Sequence, residues 1–296
     1  MAKVVGFISE KGGVGKTTAC YHLAVALQRY HYKKILVVDT DYQRGGITCR
    51  FVPSMLESFR TGRIEGGSTL FDKYQQLYSD TIFNATVKLL PVFENNIDLL
   101  PADPRLSQVA VEKMPASNNI KENNRRLYKH LSVLRDVLSQ FYTKFDYILI
   151  DSHPELSDLL RSVVFACDYC VSPVKLDLQS TIGVPSAMQC IQEVNEDMNM
   201  IQSALDEIPK YQPTFFAGAI GMMAREWGGI LKSTERTEFL RLQRTGEVFD
   251  TYITEGDGLR QAAENRCPVY DISGPNADKQ SGQFKNLTEE FLKRCP

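Results

Sequence analysis

The chain has 296 residues, of which 43% are hydrophobic and 24% are charged, so it can bury a substantial core. Its formal net charge of -2 gives no overall electrostatic reason to bind nucleic acid, and no apolar run is long enough to predict a membrane span. A strand pattern begins within a few residues of the start, which argues against a signal peptide, and the seven cysteines are scattered. We therefore expect a cytoplasmic protein with reduced thiols.

Apolar runs without polar alternation recur along the chain, as expected for parallel strands that are buried on both faces. The predicted strands are residues 4–8, 35–38, 97–100, 147–150, 169–174 and 216–220. Helical patterns separate most of them, which predicts an α/β fold, namely a doubly wound, mainly parallel sheet with helices on both faces. We expect one domain over residues 1–296, with a surface insertion around residues 54–95 that contains a helix at 69–78. A second long helix is predicted at 126–141.

A glycine-rich segment joins the first predicted strand to the first predicted helix. Its glycines allow a tight turn that points backbone N–H groups inward, and the helix N-terminus adds positive potential at the same place. In a phosphate loop of this kind Lys16 contacts the β- and γ-phosphates, and Thr17 holds Mg²⁺ through its hydroxyl. The predicted ATP-binding loop consists of Lys11, Gly12, Gly13, Val14, Gly15, Lys16, Thr17 and Thr18.

The loop departs from the common phosphate-loop pattern at its start. Glu10 stands where the first glycine is usual, and an additional lysine, Lys11, follows it. This variant resembles the deviant Walker A loop of the ParA/MinD family of ATPases, and the chain is most similar to the ParA/Soj-type partition ATPases. The resemblance implies a homodimer with ATP, in which Lys11 crosses the interface to the partner subunit's ATP. A second cation there would stabilise the charge that spreads over the γ-phosphoryl oxygens, so Lys11 and Lys16 are both candidate catalytic residues.

Two carboxylates end the second predicted strand. Asp39 and Asp41 are two residues apart and can share a face, at the strand end that lies beside a phosphate loop. Either carboxylate could instead cap the next turn, and this alternative is stronger for Asp39 than for Asp41. Residues 39–45 resemble the family's switch I, whose second aspartate positions the attacking water and corresponds to Asp41. Tyr42 stands where that family usually has proline.

The apolar run at residues 147–150 ends in Asp151, a Walker B pattern whose carboxylate binds Mg²⁺ through water. Thr17, Asp39 and Asp151 are the predicted metal-binding residues. The residues after Asp151 resemble the family's switch II, with His153 in place of the first proline. We interpret His153 as structural or solvent-facing, because phosphoryl transfer to water needs positioning and charge more than a strong base.

The base pocket is the least typical part of the pattern. Residues 249–262 resemble the family segment that lies against adenine, but Thr254 and Glu255 replace its Pro-Arg pair. These two residues and Met222 are the candidates for contact with the base. Cys167 and Cys170 have the C-x-x-C spacing, and we interpret them as structural because no second pair accompanies them.

Basic residues in the last third of the chain are candidates for DNA binding, since ParA-type proteins bind DNA non-specifically through arginines in that region. Acidic residues are interspersed among them, so a salt-bridged, solvated surface is the alternative. The resemblance also implies association with the nucleoid and a ParB-like or adaptor protein that stimulates hydrolysis. The candidates are Arg225, Lys232, Arg236, Arg241, Arg244, Arg260 and Arg266.

The final helical pattern, at residues 284–294, has one apolar face. A helix that binds a membrane surface needs a strongly basic polar face, whereas this one contains Glu289 and Glu290, so we expect a packed helix. Two functions remain open. The first is a partition or positioning ATPase that segregates a plasmid, a chromosome or another cargo. The alternative is an ATPase of the same fold in membrane-linked positioning or in cofactor or metal assembly.

Overall fold

The computed structural model describes residues 1–43, 46–62, 67–79, 81–93, 96–111 and 117–296. The strands of its main sheet, numbered β1 to β7 in chain order, are Lys3–Phe7, Ile35–Asp39, Leu90–Val92, Ile97–Leu100, Tyr147–Asp151, Tyr169–Lys175 and Phe215–Met222. Within those residues the order across the sheet is β3-β4-β2-β5-β1-β6-β7, and only the β3–β4 pair is antiparallel. A separate hairpin is formed by β8 (Glu226–Trp227) and β9 (Ile230–Leu231).

Helices cover both faces of this sheet. In chain order, α1 to α12 are Lys16–His31, Ile47–Phe51, Leu56–Thr61, Leu70–Tyr78, Leu106–Val111, Ile120–Ser139, Asp158–Ala166, Leu178–Thr181, Gly183–Ala204, Ser233–Thr245, Asp257–Glu264 and Pro275–Arg294. Alternate residues of the central strands serve two separate cores. Leu36 and Val38 pack with α4, α5, α6, α7 and α9, whereas Ile35 and Val37 pack with α1, α2, α11 and α12. The predicted doubly wound α/β fold is therefore confirmed.

Several boundaries differ from the sequence-based expectation. The long central helix begins at Ile120, because the side chain of Asn119 accepts hydrogen bonds from the backbone amides of Lys121 and Glu122 and caps it there. The predicted surface insertion is partly core. Leu70 and Tyr74 of α4 are fully buried, and β3, which the sequence did not predict, joins the main sheet as its edge strand.

Helix α1 is enclosed on nearly all sides, since residues 19–28 are all buried. Helix α12 covers it from outside through Phe284, Leu287 and Phe291, each of which is fully buried, as expected for a packed terminal helix. Between the two helices lies His22. Its Nδ1 faces the carbonyl oxygen of Thr18 at 2.8 Å, and its Nε2 faces the amide of Val269 at 3.2 Å. The first nitrogen therefore donates and the second accepts, so this imidazole is neutral.

Candidate active site

The glycine-rich loop has the backbone geometry that its sequence predicts. The loop lies between β1 and α1, and Gly13 and Gly15 have positive φ angles of 71° and 97°, which favour glycine. Met222, a predicted base-contacting residue, is buried behind the loop, and a Cβ at position 15 would lie 3.1 Å from its Cε. Met222 therefore supports the loop from behind. Its neighbour Met223 is the residue that lines the cleft, which the sequence reasoning missed.

Lys16 is folded over the loop at the first position of α1. Its side chain is buried, and its Nζ donates to the carbonyl oxygens of Lys11 at 3.3 Å and Ser9 at 3.5 Å. Burial lowers the pKa of Lys16, while the carboxylates of Asp151 and Asp41 oppose that shift. A cation is thus held beside two acidic groups, where an anionic phosphate chain gains most from it.

Asp151 ends β5 at the floor of the cleft and is fully buried. Its Oδ2 accepts a hydrogen bond of 2.8 Å from the hydroxyl of Thr17, whereas its buried Oδ1 has no hydrogen-bond partner among the described residues. Burial raises the pKa of Asp151, and the nearby Asp39 adds to the effect. An unpartnered carboxylate oxygen beside a threonine hydroxyl fits a divalent cation with oxygen ligands.

Asp39 lies opposite Asp151 in the parallel register, but its oxygens are already engaged. Its Oδ2 accepts hydrogen bonds from the amide and the hydroxyl of Thr48, at 2.9 and 2.6 Å, and its Oδ1 accepts one from the amide of Asp41 at 2.9 Å. These bonds tie α2 and the loop after β2 to the strand end. The geometry therefore favours the capping interpretation of Asp39 over direct contact with a metal.

Asp41 lines the cleft, which has a volume of about 340 Å³, together with the glycine loop, Gln43 and Pro154. Its Oδ1 accepts a hydrogen bond of 2.9 Å from the amide of Gln43. Burial raises the pKa of Asp41, and Lys16 opposes this shift. The structure thus brings Lys16, Thr17, Asp41 and Asp151 together around one cleft. Whether Asp41 positions a water molecule stays a prediction.

Lys11 differs from Lys16 in its surroundings. Its side chain is exposed, and its Nζ donates to the carbonyl oxygen of Gln179 in α8. Large exposed apolar side chains lie in the neighbouring segments, with Leu156, Leu178 and Ile182 each more than half exposed. The extra lysine therefore lies on an open, partly apolar face of the molecule, and its predicted role across an interface stays a prediction.

The loops after β2 and β5 contact each other at the two positions where their sequences depart from the family pattern. The rings of Tyr42 and His153 lie 5.2 Å apart between centroids, and the Tyr42 hydroxyl donates to Oε2 of Glu155 at 3.0 Å. His153 is fully buried, and its Nε2 lies 2.7 Å from the hydroxyl of Ser157. Burial lowers the pKa of His153 to about 4, so the ring is neutral, and its burial excludes the solvent-facing alternative.

The two other base-pocket candidates lie in different surroundings. The amide and hydroxyl of Thr254 both donate to Oε1 of Gln283 at 3.0 Å, which fixes Thr254 against α12. Glu255 is exposed, and its amide donates to the carbonyl oxygen of Ala224. Thr254 therefore holds the C-terminal segment in place, and contact of either residue with a base stays a prediction.

The predicted DNA-binding residues fall into two groups. Arg225 and Arg241 pair with the buried carboxylates of Glu235 and Glu238, respectively, and Arg260 pairs with Asp257. The others are exposed and have no ion pair with a described residue. They are Lys232, Arg236, Arg244 and Arg266, and the first three lie at the start of α10 or within it.

Cys167 and Cys170 are both buried as free thiols, in agreement with their structural interpretation. Among the described residues, no helix is both long enough and apolar enough to cross a membrane.

The arrangement defines the class of the protein. A phosphate loop between a parallel strand and a helix, with a buried carboxylate at the end of the adjacent strand, is the site of a P-loop ATPase.

The comparison with known proteins agrees with this class. A ParA family protein of Chlamydia pneumoniae is 25% identical over 292 residues, covering 98% of this chain and 97% of the relative. The ATP complex of McdA from Cyanothece superposes with a TM-score of 0.72 at 17% identity, covering 98% of this chain and 96% of that one. A protein described as a plasmid partition protein of Borrelia burgdorferi, bound to AMPPNP, gives 0.68 at 22% identity, covering 99% and 100%.

A family model described as AAA domain matches residues 2–203, and the chain belongs to this family, as an ATPase of the ParA type.

Proposed function

We propose that the chain is an ATP-gated switch of a partition or positioning system. In this proposal it binds ATP with Mg²⁺, forms a face-to-face homodimer, binds DNA without sequence preference, and hydrolyses ATP slowly until a ParB-like or adaptor protein stimulates it. The observation that carries the proposal is the pair of lysines in one phosphate loop, with Lys16 folded over the loop and Lys11 exposed. The names of the similar proteins support the same function.

The nucleotide would lie along the cleft, with its phosphates on the loop and Lys16. Thr17 and Asp151 would hold the metal, since the unpartnered Oδ1 of Asp151 provides a free ligand oxygen beside the threonine hydroxyl. Mg²⁺ supplies positive charge that offsets the charge on the phosphate oxygens. Asp41 is the cleft residue placed to orient a water molecule, because its loop follows the strand beside Asp151.

A dimer would form through the face around Lys11. That face combines a cation with the exposed apolar side chains of Leu156, Leu178 and Ile182, and exposed apolar groups near a cleft are typical of association surfaces. A partner docked there would cover both clefts and bring each Lys11 to the other subunit's phosphates. Release of Lys11 from Gln179 would be the movement required.

Complementation between two inactive variants tests the dimer directly. Lys11→Ala and Asp41→Ala should each lose ATP hydrolysis when alone. Mixed in equal amounts, they should recover about a quarter of the wild-type rate, because about half of the dimers then contain one intact site. If Lys11 acts inside its own subunit, every site lacks one essential group and the mixture stays at background.

The exposed side of α10 is the surface that best supports DNA binding. Its two glutamates, Glu235 and Glu238, are buried, so the exposed charges that have no ion pair with a described residue are Lys232, Arg236 and Arg244, beside the exposed but paired Arg241. Phosphate contacts need only a positive face, and a dimer would present two of them. Of the predicted DNA-binding residues, we retain for this face those that do not pair with a buried carboxylate.

DNA retention in a gel, with ATP but not with ADP, tests this surface. Arg236→Glu and Arg244→Glu should weaken DNA binding and leave ATP hydrolysis unchanged, and binding should fall steeply with salt for any sequence. Arg60→Glu is the control, since Arg60 is another exposed arginine, on α3, paired with Glu57. If both α10 variants bind DNA with wild-type affinity, the exposed side of α10 is not a DNA-binding surface.

The membrane-linked alternative is less well supported. The apolar residues of α12 are buried against α1, so they are not available to a lipid surface without detaching the helix. Assembly of a cofactor or metal remains the alternative if the chain hydrolyses ATP but DNA is never retained.

A further inference from the structure

The contact between Tyr42 and the residues after β5 links the two loops that hold the acidic groups of the cleft. Asp41 belongs to the loop after β2, and Asp151 ends β5, the adjacent parallel strand. Tyr42 directly follows Asp41, and it reaches across to the second loop with both its ring and its hydroxyl. Nothing in the phosphate-loop chemistry described above uses this contact.

One side of the contact is firmly fixed. His153 is fully buried, and its Nε2 is within hydrogen-bond distance of the hydroxyl of Ser157. Ser157 in turn caps α7, because its hydroxyl oxygen accepts a hydrogen bond of 3.2 Å from the amide of Leu160. The ring of His153 is therefore attached to the first turn of a helix. Tyr42, which is only half-buried, packs on that fixed ring.

The other side determines where Asp41 lies. The amide of Asp41 is held by Asp39 on the strand side, and the Asp41 carboxylate is bonded to the amide of Gln43 on the far side. Tyr42 is the residue between these two bonds, so the position of its side chain constrains the turn that orients the carboxylate. A small displacement of such a group is enough to reduce a rate that depends on positioning.

We propose that Tyr42 is a positioning residue, which uses His153 and Glu155 to hold Asp41 at the cleft and makes the loops after β2 and β5 move as one unit. The proposal rests on the role of Asp41 in the proposed function. The link between the loops after β2 and β5 does not depend on whether the chain hydrolyses ATP. The link and the positioning role are therefore tested by separate experiments.

Hydrogen–deuterium exchange of the full chain without nucleotide tests the link between the loops. Tyr42→Ala should speed exchange by about tenfold both in residues 39–43 and at the amides of Leu160 and Arg161, which bond to Ser157, because each loop loses the other as support. Tyr42→Phe keeps the ring contact and should change exchange less. Unchanged exchange at the amides of Leu160 and Arg161 in Tyr42→Ala overturns the link.

The matched control is Tyr78→Phe. The hydroxyl of Tyr78 lies 2.9 Å from Nδ1 of His130, between α4 and α6 and away from the cleft, so this variant also removes a hydroxyl from a tyrosine–histidine pair. It should leave exchange in both cleft loops at the wild-type level. A response of those loops to Tyr78→Phe would show a general loosening and would also overturn the proposal.

Kinetics test the positioning role. Tyr42→Ala should lower kcat for ATP by about tenfold while the Kd for ATP stays within about twofold, since the phosphate loop is untouched. Tyr42→Phe and Glu155→Ala should each lower kcat by about threefold, and the double variant should lose no more than either one, because both remove the same hydrogen bond. If the decreases in kcat multiply in the double variant, or if Tyr42→Ala weakens only the binding of ATP, the positioning role is contradicted.

Discussion

Acid should weaken the attachment of α12 to α1 at His22, because the His22 ring stacks on Phe284 of α12 with 4.6 Å between the ring centroids. The imidazole is fully buried, and burial, with a smaller contribution from the Arg50 charge, lowers its pKa from the ordinary 6.5 to about 3. Protonation of Nε2 would also remove the acceptor of the Val269 amide. Above pH 6.5 the ring is neutral in the folded and unfolded chains alike, so it adds no pH dependence there.

Below pH 6.5 the unfolded chain binds a proton at this ring and the folded chain does not. The free energy of unfolding therefore falls by up to about 1.4 kcal/mol per pH unit, or about 2.3 kcal/mol between pH 6.5 and 4.5, and stops falling near pH 3. The buried His153 changes stability in the same direction. A comparison of wild type with His22→Phe cancels the contributions of all other groups.

At pH 7.5 His22→Phe should be less stable by about 1–3 kcal/mol, because the amide of Val269 loses its acceptor. As the pH falls the difference should shrink and reverse near about pH 5, because only the wild type loses stability at this site. Urea titrations followed by far-ultraviolet circular dichroism measure this, since the single tryptophan, Trp227, is already 85% exposed. His31→Phe, beside Glu289 at the surface, is the control for loss of a histidine. A difference that stays constant from pH 7.5 to 4.5 refutes the reasoning.

Three further substitutions test the cleft. Lys16→Ala should reduce ATP binding by about 100-fold or more, measured by calorimetry, because it removes the buried cation of the loop; unchanged affinity would contradict the phosphate-loop assignment. Asp41→Ala should keep ATP binding but lower turnover by about 100-fold or more, and turnover at the wild-type rate would reduce Asp41 to a structural cap. Gly15→Ala should destabilise the fold by about 1–2 kcal/mol in urea titrations and weaken ATP binding, because its φ of 97° is unfavourable for alanine and Met222 leaves little room for a Cβ; wild-type stability would show that the loop can adapt.

The sequence was sufficient for the parts of the molecule that depend on local pattern. The glycines and lysines of the loop, the apolar runs of the central strands and the carboxylate after each run are all contiguous signals, and the structure brings Lys16, Thr17, Asp41 and Asp151 together as expected. The short strand β3 gave no such signal. It has three residues and contains Pro91, which is tolerated only because the strand lies at the edge of the sheet.

The remaining features depend on contacts between distant residues. The capping role of Asp39 requires Thr48, and the buried Glu235 and Glu238 decide which nearby arginines are paired. The contact between Tyr42 and His153 joins positions that are more than a hundred residues apart. Each residue stands where the family pattern has proline, but the sequence does not show that the two are in contact, so only the three-dimensional arrangement reveals the pair.

The enclosure of α1 limits where this protein can respond to its nucleotide. A helix with neighbours on nearly all sides cannot rotate or slide without opening the apolar core that it shares with the sheet and α12, so the end that bears Lys16 is held in place. We therefore expect differences between nucleotide states at the rim of the cleft, where Asp41, Gln43 and Pro154 lie. A second protein that responded to hydrolysis would then contact the rim of the cleft and not α1.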